Sequence, residues 1–132
     1  MRIDWGLLLL RGALLVYALA LVNTFVPVLS GSRRSARLTP LLAASGALLH
    51  SGALIALGVT LGRCPLGTLP EVLSVLAWTL ALVYLVLVWR FRLEVLHAII
   101  LPVILLVLFV SLLLPGGVVP MTGPIRPSLL RV

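Results

Sequence analysis

The chain has 132 residues, 62% of them hydrophobic and only 10% charged, with a mean hydropathy of +1.30. A soluble domain of this size cannot cover so much apolar surface, so the composition excludes a soluble globular protein and points to an integral membrane protein. The net charge of +7 rests on ten arginines and no lysine; without a basic face interleaved with aromatics, it offers no nucleic-acid surface.

Four apolar runs predict an all-α membrane protein with four transmembrane helices, forming the front, N-terminal part of a larger helical bundle. The first span covers 12–29 and can begin as early as Gly6, with Arg11 snorkelling toward headgroups. The second covers 41–61, with Pro40 just before it. The third covers 71–89, and the fourth 95–114 with Pro102 inside it. Each holds 18 to 21 residues, enough to cross a hydrocarbon core of about 30 Å. The remainder, 116–132, is rich in Pro and Gly and reads as an extramembrane tail. Its end, PSLLRV, has the character of a cap and first turn, as expected where a longer protein has been cut.

Orientation follows from the arginines. GSRRSAR carries Arg33, Arg34 and Arg37, and RFR carries Arg90 and Arg92; two spans separate these short loops, so they share one side. Arg63, Arg2, Arg126 and Arg131 fall on the other. Short loops dense in positive charge mark the cytoplasmic side, which places both termini outside. Trp5, Trp89 and Phe91 near span ends suit interfacial belts.

Few residues can carry chemistry. His50 lies near the middle of the second span, in SGALLHSGAL. Ala43, Gly46, Ala47 and Ala53 share its helical face, which is nearly bare. Such a face either admits a neighbouring helix backbone or leaves room for a flat, bulky ligand with imidazole as axial donor. An ionisable side chain in mid-membrane is a functional hypothesis by default; the plainer reading is a neutral His bonded to a Ser, Tyr or carbonyl of another helix. Zinc would need three or four donors close together, and His97 and Cys64 belong to opposite edges. A proton relay would need carboxylates inside the spans, and their interiors have none.

Thr68-Leu69-Pro70-Glu71 fits a capping box at the start of the third span. Glu71, Ser74 and Trp78 follow at i, i+3 and i+7, on one face running inward. His97, three residues after Glu94, reads as half of an interfacial pair at a wet helix end. The single Cys64 excludes an intramolecular disulfide. No Ser/His/Asp array, phosphate loop or carboxylate pair is present, so no catalytic constellation is visible.

The segment from His50 to Pro102 resembles the cytochrome c assembly (CcsA/ResC-like) family of membrane proteins, which includes a HemX-like and YpjD-like branch. The resemblance rests on His50 in an early span, then Gly62, Pro65, Gly67, Glu71 and Ser74 around a short outer loop. Ala77-Trp78 follows in the next span and Pro102 in the one after. Tyr17 in the first span fits as well. Cys64 and His97 match no position of the pattern, and the family's Trp-rich outer segment is absent from this chain.

The resemblance implies a bacterial inner-membrane component of cytochrome c biogenesis, handling or exporting heme for attachment to apocytochrome c. It would be at most a heme-handling part of a cytochrome c synthetase. It further implies heme as cofactor, His50 as a heme-iron ligand and Trp78 as a heme-facing side chain. The implied partners are the lipid bilayer, other assembly subunits or a missing C-terminal part, and, indirectly, apocytochrome c. The alternative is a small four-helix subunit or transporter that acts by oligomerising, with His50 packing between helices. A carrier of the small multidrug type would want a carboxylate in its first span, and none is there.

Overall fold

The computed structural model describes residues 5–31 and 33–114. The Pro/Gly-rich tail and the flanking Arg2, Arg126 and Arg131 lie outside the described residues. The fold is all-α. It consists of α1 (Trp5–Ser30), α2 (Arg33–Leu61), α3 (Leu69–Phe91) and α4 (Val95–Leu113). All four are long and apolar enough to cross a membrane, which makes this an integral membrane protein. At about 1.5 Å per residue the shortest, with 19 residues, spans about 28 Å.

The bundle is built inside out relative to a soluble one. Large apolar side chains such as Leu15, Leu19, Leu48, Ile55, Val86 and Leu106 point outward, where hydrocarbon is as good a solvent for them as a protein core. The interior collects Ala13, Ala20, Ala43, Ala47, Ala53, Ala77 and Ala81, with Tyr17, Tyr84 and His50 among them. Small residues let backbones approach, and close packing rather than burial from water drives helix association in lipid.

α1 and α2 form the most intimate pair. A Cβ on Gly6 would come within 3.3 Å of the Leu57 backbone nitrogen, and one on Gly46 within 3.0 Å of the Tyr17 ring. Farther along, Asn23 Nδ2 donates to Thr39 Oγ1 at 3.0 Å. The three contacts step antiparallel from one end of the helix pair to the other. α3 and α4 are tied near both ends: Ser111 Oγ donates to the Pro70 carbonyl at 2.6 Å, and Tyr84 Oη is hydrogen-bonded to His97 Nδ1. Contacts of α2 with α3 and of α1 with α4 close the ring.

Two boundaries differ from the sequence expectation. α2 begins at Arg33, so Arg33, Arg34 and Arg37 are helical rather than part of a loop, and Pro40 sits inside the helix. Proline removes its own N–H bond, here the one toward residue 36, and its ring crowds that carbonyl. That acceptor belongs to the first turns, outside the apolar stretch, where water can replace the donor. α1 likewise starts at Trp5, with Arg11 exposed on its surface. Its C-terminus closes on Gly31, which takes φ +66° and donates its N–H to the Pro27 carbonyl.

Candidate functional site

His50 is fully buried. Its Nε2 lies 3.1 Å from Ser74 Oγ, joining α2 to α3. One residue on, Ser51 Oγ donates to the Ala47 carbonyl at 2.8 Å and accepts the Trp78 Nε1–H at 2.8 Å. A polar seam thus runs between α2 and α3, built by one His, two Ser and one Trp in otherwise apolar helices. The shared face predicted for Glu71, Ser74 and Trp78 exists: the second and third of these residues meet α2, and the first turns back onto the loop.

That loop is ordered by Glu71. Its Oε2 accepts the N–H of Gly67 at 2.8 Å and of Thr68 at 3.2 Å, the latter being the reciprocal bond of a capping box. Arg63 adds a two-pronged contact, Nη1 to Oε2 at 3.2 Å and Nη2 to Oε1 at 3.4 Å. The guanidinium lies across Gly67, where a Cβ would come within 2.2 Å of Nη1. Glycine there makes room for the pair. Gly62, with φ +64°, turns the chain out of α2.

The bare face around His50 has a tenant from the protein itself. Ala43, Ala47 and Ala53 are buried, and Tyr17 of α1, itself fully buried, lies over Gly46. The Tyr17 and His50 rings meet edge to face, with centroids 6.2 Å apart and planes at 71°. Of the two readings left open for that face, helix approach is the one realised. An axial heme ligand needs a ring nitrogen facing a slot wide enough for a porphyrin. Nε2 faces Ser74, and the space beside the ring holds Tyr17, so His50 as packed here does not fit an iron-bound heme.

Trp78 is half-buried, with its indole N–H engaged by Ser51. Among the described residues no group of three His, Cys, Asp or Glu could hold a metal ion. His97 departs from expectation: it is buried and paired with Tyr84, their rings 5.6 Å apart. It is not a wet partner of Glu94. The short turn between α3 and α4 brings Tyr84, late in one span, against His97, early in the next. Cys64 is free and exposed. Comparison with known protein families, curated proteins and solved structures finds no match to this chain.

Proposed function

We propose that the chain is a heme-handling membrane component of cytochrome c biogenesis, with heme as cargo passed to the outer face for attachment to apocytochrome c. One observation supports this reading. Residues that carry the resemblance, separated by up to 28 positions, converge on one side of the bundle: His50 with Ser74, Trp78 beside them, and Glu71 with Gly67 in the loop above. An ionisable side chain held in mid-membrane, as His50 is within this seam, marks a functional site by default. In this reading α1–α4 frame the seam in the bacterial inner membrane. Both termini and the Arg63–Glu71 loop face outside, and Arg33, Arg34, Arg37, Arg90 and Arg92 face the cytoplasm. Further assembly subunits are its partners.

The test is genetic and chemical. Disrupting the coding sequence in its host and staining membrane proteins for covalently bound heme should remove c-type cytochromes while b-type heme persists. Unchanged c-type cytochromes would sink the reading. They would favour the second one, a four-helix subunit or transporter acting by oligomerisation, in which His50 is packing alone. The bond from His50 to Ser74 is the observation on that side.

A further inference from the structure

Two polar atoms in the core have no hydrogen-bond partner among the described residues: Tyr17 Oη and His50 Nδ1. Both side chains are fully buried, and their rings touch edge to face. α3 reaches His50 through Ser74, which is already engaged on Nε2. α4 faces the core with Leu101, Ile104 and Leu108, its buried His97 and Ser111 being engaged with Tyr84 and the Pro70 carbonyl, and the positions one turn from Tyr17 and His50 on α1 and α2 are alanine, glycine or leucine. Among the described residues no other side chain pairs with these two atoms. In lipid an unpaired hydroxyl or imidazole nitrogen has no solvent to turn to.

We propose that one water molecule is bound between Tyr17 and His50, accepting the tyrosine O–H and pairing with Nδ1. The chemistry selects water over other guests. If His50 Nε2–H donates to Ser74, Nδ1 is a lone pair and the guest must donate to it. If Ser74 donates to Nε2, Nδ1 carries the proton and the guest must accept it. In both cases the tyrosine proton also needs an acceptor, and only a small molecule that both donates and accepts serves either tautomer. A cation would lie in a core without a carboxylate: Glu71 and Glu94, the acids among the described residues, sit at the ends of α3 and α4. An ordered internal water requires polar partners of this kind, and these two are enclosed by the core. The result is a hydrogen-bonded chain from Tyr17 through water and His50 to Ser74, stitching α1, α2 and α3 together at the bundle centre.

The experiment is water-edited solid-state NMR on the full chain, labelled with 15N-histidine and reconstituted in phospholipid bilayers. His50 and His97 are the only histidines, so a His97→Gln sample assigns the signals. Magnetisation from water should reach the His50 imidazole, and Tyr17→Phe should weaken that transfer and move the Nδ1 resonance. No transfer to His50 in the wild-type chain overturns the proposal without any variant. Transfer that Tyr17→Phe leaves unchanged also overturns it, because the water then does not bridge. A Nδ1 resonance that moves with Tyr17→Phe while no water transfer is seen points to direct contact between the side chains, and overturns it too.

Discussion

His50 Nε2 and Ser74 Oγ meet at 3.1 Å across the α2–α3 seam, and they are the most deeply enclosed polar pair joining those helices. Interhelical hydrogen bonds in lipid average about 0.6 kcal/mol and reach about 2 kcal/mol, since the separated helices find other partners. Ser74→Ala should therefore lower stability by about 1 kcal/mol. His50→Ala should cost more, because it also empties space beside Tyr17. A double-mutant cycle, read from unfolding of the bundle in mixed micelles, should give a coupling near 1 kcal/mol. A coupling indistinguishable from zero would mean the two side chains do not hold the helices together.

Gly46 and Gly12 make a matched comparison on the α1–α2 pair. A Cβ at Gly46 meets the Tyr17 ring at 3.0 Å, whereas one at Gly12 meets nothing within 4 Å. Gly46→Ala should push α1 away from α2, at the roughly 1–3 kcal/mol typical of overpacking. Gly12→Ala should be neutral or slightly stabilising through helix propensity. The same unfolding assay on both variants decides the matter. Equal effects would show that the ring can slide off Gly46 at no cost.

Much of this arrangement could be read from residue order, and the reason differs by residue. The spans were legible because hydrocarbon demands long apolar runs. Glu71, Ser74 and Trp78 were legible as one face because helical spacing is local knowledge. Pro40 misled, because proline resembles a boundary from sequence, while here it falls in a helix whose first turns lie outside the apolar stretch. The seat of Tyr17 over Gly46 was not legible: the bare face around His50 looks the same whether a ring from α1 or a ligand fills it. Only knowledge of which helices pair separates those cases. The pairing of Tyr84 with His97 was lost for a related reason, since burial at a span end depends on how the neighbouring helix leans.

Cys64 gives a direct reading of topology. It is exposed in the α2–α3 loop, at the end opposite Arg33, Arg34, Arg37, Arg90 and Arg92. The proposed orientation, drawn from the arginine distribution, puts that loop outside. An impermeant maleimide added to intact cells, with the outer membrane permeabilised where there is one, should label Cys64, and Cys64→Ser should abolish the signal. Labelling that requires lysis of the membrane holding the protein would invert the proposed orientation and remove the outward delivery of cargo from the proposed function.

Tyr17 decides what His50 can meet. Its ring lies over Gly46 and edge-on to His50, in the volume a flat ligand would need. Replacing it by alanine deletes that ring and frees α1 to draw away from the imidazole, the opening a porphyrin needs. Neutral imidazole is a strong donor to heme iron. Purified Tyr17→Ala should therefore bind added hemin with the Soret shift of a histidine complex, at an affinity at least tenfold above the wild-type chain. The double variant Tyr17→Ala/His50→Ala should lose that shift, and added imidazole should restore it. Large-to-small changes in a core cost about 3–5 kcal/mol, so circular dichroism must first establish that both variants keep their helices. If folded Tyr17→Ala binds hemin no better than wild type, Tyr17 is not what stands between heme and His50. If the double variant keeps the shift, the iron is held elsewhere, and His50 serves the bundle only through Ser74 and Tyr17.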